Sequence, residues 1–150
     1  MSEHRGISQV EELPFLAYRF LLTIDGMEPM LFTEVSGLGY SMEVIEKEVS
    51  GSTHSLKKMA GPIDYDEIEL SRPINTSTEL YTWCEQCANA LVERKNGSLD
   101  LLDETGNPVA NWTFNNAWPM KYAVSDLDAG DGSVITESVT LTHEMLERTQ

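Results

Sequence analysis

The chain has 150 residues, a net charge of −15 and 41% hydrophobic residues, which is the length of a single domain, here residues 1–150. With 10 Lys and Arg against 25 Asp and Glu, its charge argues against binding to nucleic acid or to an anionic membrane, since both are negatively charged. No apolar run approaches the ~20 residues that span a bilayer, and the polar start of the chain lacks the apolar segment of a secretory signal.

The first third of the chain is predicted to form strands. Residues 1–13 are polar, and we expect a loose arm there. From position 17 to 24 the apolar residues alternate, which predicts a strand with one buried face. Asp25-Gly26 is a turn signal. Residues 30–35 follow as the next predicted strand, which ends at the glycines of Ser36-Gly37-Leu38-Gly39.

A long hairpin is predicted over residues 40–62. Tyr40, Met42 and Val44 share one face near its base, whereas its far end is charged and flexible. Such a hairpin is either an ordinary solvated one or an arm that contacts another subunit, and the pattern alone leaves both interpretations open. In the second case, the candidate contact residues are Glu46, Lys47, Glu48, Ser50, Gly51, Ser52, Thr53, His54, Lys57 and Lys58.

One helix is predicted, over about residues 77–94, after a strand over 63–72 that Pro73 ends. Thr76 and Glu79 have the spacing of a capping box, and Asn96-Gly97 is a typical stop. An apolar stripe at helical spacing predicts a face packed on the core. The candidate core residues are this stripe together with two tryptophans of the following strands: Leu80, Trp83, Cys84, Cys87, Leu91, Trp112 and Trp118.

The last third of the chain again predicts strands. Residues 98–102 and 109–115 flank a hairpin turn at 103–107, and Trp118-Pro119 is expected to end the second of these strands. An acidic loop over 125–133 then precedes an alternating strand over 135–145. The predicted fold is mainly β: an antiparallel barrel or sandwich of about 7–9 strands with one packed helix and a protruding hairpin.

The segment Trp83-Cys84-Glu85-Gln86-Cys87 has the spacing of a thioredoxin-like redox motif. Redox cysteines of that type lie at a helix N-terminus, where the helix dipole lowers the thiol pKa. Here Cys84 lies about two turns after the predicted cap and on the apolar stripe, so we expect a core thiol with a raised pKa. A thiol redox protein that uses Cys84 and Cys87 is kept as the alternative from another class.

No other pattern indicates chemistry. Residues 126–137 partly match a calcium loop, but Gly130 occupies an acid position and the flanks are strands. The sequence has no G-x-S-x-G element, and the three histidines are scattered. We therefore predict no catalytic residue, no metal site and no cofactor. Two cysteines without a secretory signal favour a reducing, cytoplasmic environment.

Several segments, in order, resemble one known family. They are PFLAYRFLLTIDG, FTEVSGL, RPINTSTELYTW, NGSLDLLDETGNPVANWTFNNAWPMKY, SDLDA and ITESVTLTHEMLER. Together they span nearly the whole chain, and they are similar to the tail tube proteins of contractile-tailed bacteriophages and the inner tube proteins of phage-tail-like contractile injection systems. Within this match, FTEVSGL, NAWP and HEMLER are the most specific parts.

The resemblance implies a structural role. Proteins of this family have a β-barrel or β-sandwich with one outer helix, and form hexameric rings that stack into a hollow tube within a sheath. The haemolysin-coregulated tube proteins of type VI secretion share the fold and are the nearest alternative. The implied partners are further copies of the chain, the sheath protein, baseplate or tube initiator and terminator proteins, and cargo or DNA in the lumen, without membrane binding by the subunit. The subunit would assemble in the cytoplasm and end in a phage tail or injection particle.

Overall fold

The computed structural model describes residues 19–49, 51, 55–89, 92–128, 130 and 132–150. Within them, the chain forms ten strands and one helix. The strands are β1 (Arg19–Ile24), β2 (Met30–Phe32), β3 (Glu34–Ser36), β4 (Tyr40–Glu48), β5 (Leu56–Tyr65), β6 (Ile68–Pro73), β7 (Lys95–Leu102), β8 (Pro108–Val124), β9 (Thr136–Thr142) and β10 (Met145–Arg148). The helix, α1, spans Glu79–Ala88.

The strands other than β4 and β5 form a two-layered, antiparallel sandwich. Pairing runs in the order β2-β1-β7-β8-β9-β6-β3, and β10 also pairs with β8. The first half of β8 pairs with β7 and β10 in one layer, and its second half pairs with β9 in the other. The predicted mainly antiparallel β fold with one helix is therefore confirmed, with ten described strands instead of about seven to nine.

The prediction left a barrel and a sandwich open. The structure is the sandwich and not a closed barrel. The edge strands β2 and β3 follow each other in the chain, separated by Thr33, and pair with different neighbours: β2 with β1, and β3 with β6. The backbone N–H of Thr33 donates to the carbonyl of Ser71 at 3.0 Å, where the chain crosses from one layer to the other. Because β2 and β3 do not pair with each other, the sheet remains an open sandwich.

The core lies between the layers and under the helix. Alternation in β9 buries Val139 and Leu141 and leaves the threonines on the other side half-buried. Among the described residues, the largest side chains with almost no exposure are contributed by both layers and by the helix: Phe32, Phe114, Leu22, Ile24, Ile68, Leu70, Leu80 and Leu99. This apolar centre is the main source of the stability of a domain of this size.

Strand β8 continues through the point where a break is predicted. Pro119 lies at an irregularity in the β8–β9 pairing, and a proline is tolerated at such a bulge because no ladder hydrogen bond is needed from it. Asn116, with φ of 54°, turns the strand between the two layers. Its backbone N–H donates to Asn96 Oδ1 at 3.0 Å, and its side-chain amide donates to Glu144 Oε2 at 2.7 Å.

Helix α1 is shorter than predicted at both ends. Its N-cap is Thr78, without a side-chain capping bond, and Glu79 Oε1 accepts the backbone N–H of Glu28 at 2.9 Å, so the capping box of Thr76 and Glu79 is wrong. The helix ends at Ala88, because residues 95–102 pair with β1 and β8 as strand β7. Gly97 lies in that strand instead of ending the helix, and a Cβ there would lie 2.6 Å from Phe114 Cζ.

Candidate assembly surface on the hairpin

Strands β4 and β5 form a two-stranded sheet of their own. Their register runs from Tyr40 opposite Tyr65 to Glu48 opposite Leu56, and neither strand pairs with the sandwich. All nine residues of β4 are exposed. An isolated two-stranded hairpin is at best marginally stable in water, and a contact with another surface would stabilise this one.

The hairpin is longer than predicted because β5 continues past Gly61-Pro62 to Tyr65. The pairing shifts between Met42 and Val44, where β5 carries an extra residue. Pro62 is accommodated at this bulge, and a Cβ on Gly61 would approach the Glu43 carbonyl oxygen to 3.0 Å. Residues 63–72, predicted as one strand, therefore belong to two strands, β5 and β6. Asp66 and Glu67 lie between them.

Both faces of the hairpin carry exposed apolar side chains. Because directly opposite residues share a face, Met42, Val44 and Ile63 lie on one side, and Ile45 and Met59 lie on the other. Val44 is 60% exposed and Ile63 is 49% exposed. Half of the large apolar side chains that are exposed among the described residues lie on this one element. Exposed apolar patches of this kind mark interaction surfaces.

The charges near the tip are unevenly paired. Lys58 is opposite Glu46, a favourable cross-strand pair, but Lys47 is directly opposite Lys57. Two like charges in this position repel each other. Neither lysine makes an ion pair with another described residue within 4.0 Å. An acidic surface on a second molecule would therefore be favoured at this point of the hairpin.

The predicted contact residues fall into two groups. Glu46, Lys47, Glu48, Lys57 and Lys58 lie on the exposed ends of β4 and β5, and Gly51, with φ of 85°, lies in the connecting turn. Ser50, Ser52, Thr53 and His54 lie outside the described residues. The predicted contact set omitted the exposed apolar residues of both strands, among them Val44, Met59 and Ile63.

The predicted core residues differ in how deeply the structure buries them. Leu80, Trp83 and Cys87 of α1 are buried, and Cys84 is half-buried against the core. Leu91 lies outside the described residues. Trp112 and Trp118 are half-buried at the periphery instead of in the central core, which corrects that part of the prediction. The guanidinium of Arg148 lies 5.8 Å from the ring centre of Trp112, within the range of a cation–π contact.

The two cysteines of α1 have the environment of structural thiols. Both are unpaired. Burial raises the pKa of the Cys84 thiol to about 12, and the proximity of Cys87 and Glu137 adds to the rise. Since the thiolate is the reactive form, a thiol with this pKa is a poor nucleophile at neutral pH. The geometry disfavours redox chemistry at this pair.

A buried ion pair joins the neighbouring strands β6 and β9 of one layer, beneath the helix. Arg72 Nε donates to Glu137 Oε1 at 2.7 Å, and both side chains are almost fully buried. The second oxygen, Oε2, accepts the Tyr122 hydroxyl at 2.8 Å, and the Tyr122 ring packs edge-on against Tyr81 of α1. Burial and the hydrogen bond to Glu137 raise the pKa of Tyr122 to about 12. With both oxygens engaged, Glu137 is not available to the calcium loop that its spacing suggested.

The described residues contain no cluster of three or more His, Cys, Asp and Glu side chains that could hold a metal ion. None of their helices is long and apolar enough to cross a membrane. The feature of this part of the chain that most needs explanation is consequently the exposed hairpin.

The two-layered sandwich, the outer helix α1 and the separate hairpin of the described residues together define the tube-protein class of fold. The family model described as T4-like virus tail tube protein gp19 matches residues 16–147. The chain belongs to this family of tail tube proteins. Among curated proteins, no relative of the chain is found.

Solved structures agree with this assignment. A chain of the PVC sheath-tube complex, an extracellular contractile injection system in the extended state, is 27% identical with a TM-score of 0.81, covering 95% of this chain and 96% of that one. A chain in the tube-terminating cap of the anti-feeding prophage is 26% identical, with a TM-score of 0.80 and 93% of each chain covered. Hcp1 from Flavobacterium johnsoniae shares the fold at 20% identity and a TM-score of 0.54, over 87% of this chain and 94% of Hcp1.

Proposed function

We propose that the chain is the repeating subunit of the inner tube of a contractile injection system or phage tail. Copies would close into hexameric rings, and the rings would stack into a hollow conduit for cargo or DNA. The observation that carries the stacking step is the β4–β5 hairpin, which has two exposed apolar faces and no pairing with its own sandwich. A contact that repeats without closing produces a filament, as a tube requires.

The hairpin is the proposed link between rings. Val44 and Ile63 on one face, and Ile45 and Met59 on the other, supply apolar surface that a neighbouring ring would cover. The adjacent cations Lys47 and Lys57 would meet carboxylates there, because every copy carries a net charge of −15. Both arguments favour a second copy of the same chain as the occupant.

The remaining partners are proposed from the relatives. Solved relatives come from a sheath-tube complex, a baseplate, a sheath/tube terminator and a tube-terminating cap. We infer a surrounding sheath and baseplate and terminator proteins for this chain, with assembly in the cytoplasm before incorporation into the particle. A type VI secretion tube is the second candidate, supported by the shared fold of the Hcp1 structure. The role is structural and needs no catalysis by the subunit.

Removal of the hairpin tip tests the stacking step. Deleting residues 50–55 and joining Val49 to Leu56 through Asn-Gly keeps every residue of β4 and β5 and shortens the connection between them. We expect folded subunits or single rings and no long tubes by negative-stain electron microscopy. Replacing the same six residues with a Gly/Ser stretch of equal length is the matched control. Long tubes from the deletion variant in the presence of sheath and baseplate would contradict the proposed role of the hairpin.

A further inference from the structure

His143 lies where the hairpin joins the sandwich. It follows β9 and precedes β10, and its ring is partly buried between two aromatic side chains. The ring centre is 5.7 Å from that of Tyr65, at the end of β5, and 6.3 Å from that of Phe114 in β8. One ring therefore contacts both the hairpin and the sandwich.

Both ring nitrogens face backbone carbonyl oxygens. Nδ1 lies 3.2 Å from the carbonyl oxygen of Met145, and Nε2 lies 2.9 Å from that of Asp66. A carbonyl oxygen can only accept a hydrogen bond, and a neutral imidazole has one N–H to donate. Only the doubly protonated imidazolium can donate to both carbonyls at once.

The two carbonyls belong to different parts of the fold. Met145 begins β10, which pairs with β8 in the sandwich. Asp66 directly follows the hairpin, and its own N–H donates to the Gly39 carbonyl at 3.1 Å, immediately before β4. The hydrogen bond from Asp66 to Gly39 thus joins the segment that enters the hairpin to the segment that leaves it. We call these two residues the hairpin root. A ring that bonds both Met145 and Asp66 attaches this root to the sandwich.

The chain positions next to these contacts carry mostly acidic side chains. The hairpin side contributes Tyr65, Asp66 and Glu67, and the segment between β9 and β10 contributes Glu144, which binds Arg94 at 2.8 Å. The cation of β10, Arg148, is directed to Trp112 and the Gln150 carbonyl. Phe114 is the contact from β8 and carries no charge.

We propose that His143 is a proton-dependent positioning residue for the hairpin. Its imidazolium holds the hairpin root against the sandwich, and loss of one proton releases one of the two carbonyls. The two carbonyl contacts together need both ring protons, so this contribution to order is present in the imidazolium and is lost when one proton leaves. The consequence for tube assembly rests on the proposed function, whereas the ring contact itself is a property of the subunit.

Hydrogen–deuterium exchange of the full chain, followed by mass spectrometry at pH 5.5 and 8, tests the inference. Protection of peptides over residues 62–68 is corrected for intrinsic exchange and compared with peptides from β7. We expect protection to fall about tenfold at the higher pH, the effect of one hydrogen bond to a charged group. His143→Phe keeps an aromatic ring but has neither donor, so its protection should be low and independent of pH. His4→Gln, which removes a histidine outside the hairpin, should behave as the wild type.

A second variant keeps the test decisive if His143→Phe does not fold. His143→Gln offers a neutral amide donor at every pH and should give intermediate protection without pH dependence. Equal corrected protection of the wild type at both pH values, or pH dependence that persists in either His143 variant, would overturn the inference. Electron microscopy at both pH values separates the two proposals, since tubes that form without any change in hairpin protection would support the tube role and refute the histidine role.

Discussion

Replacing two apolar residues of the hairpin should weaken tube growth without unfolding the subunit. Val44 and Ile63 lie on one face of the hairpin and are 60% and 49% exposed. In the variant Val44→Thr/Ile63→Thr, threonine keeps the branched Cβ and the preference for strands, so the hairpin itself should persist. What is lost is apolar surface that a neighbouring ring would cover.

The size of the effect follows from the exposure of these side chains. Full burial of a valine or isoleucine stabilises by about 1.5–3 kcal/mol, so covering the exposed half of each gives ~1 kcal/mol, or ~2 kcal/mol per hairpin. This corresponds to about a thirtyfold weaker contact for each hairpin. In the proposed hexameric ring the losses would accumulate over every hairpin, and the concentration needed for tube growth should rise by considerably more than thirtyfold.

Sedimentation of tubes over a range of protein concentrations measures this threshold, and circular dichroism checks that the variant is folded. Val134→Thr is the matched control, because Val134 is 69% exposed but lies outside the hairpin. The control should sediment as the wild type does. If the double variant formed tubes at the wild-type concentration, the apolar hairpin faces would not be the inter-ring contact, and the argument from their exposure would be refuted.

Three further predictions concern the subunit alone. Glu137→Ala leaves the buried guanidinium of Arg72 unpaired and should lower the free energy of unfolding, measured in urea, by about 3–5 kcal/mol. The double variant Arg72→Met/Glu137→Leu should restore most of this loss. An equal loss in both variants would contradict the prediction. The pKa of Cys84 is about 12 in the fold and 9.0 ordinarily, so the unfolded chain releases this proton first. The free energy of unfolding should therefore fall from about pH 9 towards pH 12, and less steeply in Cys84→Ala. Identical pH profiles of unfolding for the two proteins would refute this prediction. Gly37→Ala places a Cβ 1.8 Å from the Glu67 carbonyl oxygen at φ of 87°, so its thermal midpoint should fall much further than that of Gly51→Ala, where φ is similar but the surroundings are open.

Local sequence patterns predicted most of the elements correctly. The alternation in β9 and the turn at 103–107 depend on neighbouring residues only, and the structure has both. In that turn, Asp103 Oδ1 accepts the backbone N–H groups of Thr105 and Asn107 at 2.9 Å each, and Gly106 has φ of 87°. Hydrogen bonds from the Thr105 side chain and the turn amides lower the pKa of Asp103.

The errors occur where distant pairing overrides local signals. Pro62 and Pro119 each suggest the end of a strand, yet both lie at bulges in strands whose partners continue. Asn96-Gly97 suggests a helix stop, but Gly97 is needed where Phe114 and Ile24 approach the backbone of β7. Such close approaches depend on which strands become neighbours, and the order of elements along the chain does not specify them.

The candidate assembly surface was only partly predictable. The charged tip residues Lys47 and Lys57 stand out in the sequence, whereas their position directly opposite each other depends on the register of β4 and β5. The contact of His143 with the Asp66 carbonyl joins residues 77 positions apart. No spacing rule connects such residues, so the attachment of the hairpin root is visible only in the folded chain.

Cryo-electron microscopy of the purified full chain tests the central claim most directly. The account predicts hollow tubes of stacked rings, with each β4–β5 hairpin lying against a subunit of the next ring and with Val44, Ile63, Ile45 and Met59 covered. Particles that remain monomeric at high concentration would contradict it. So would tubes in which these side chains stay exposed and rings meet through another surface.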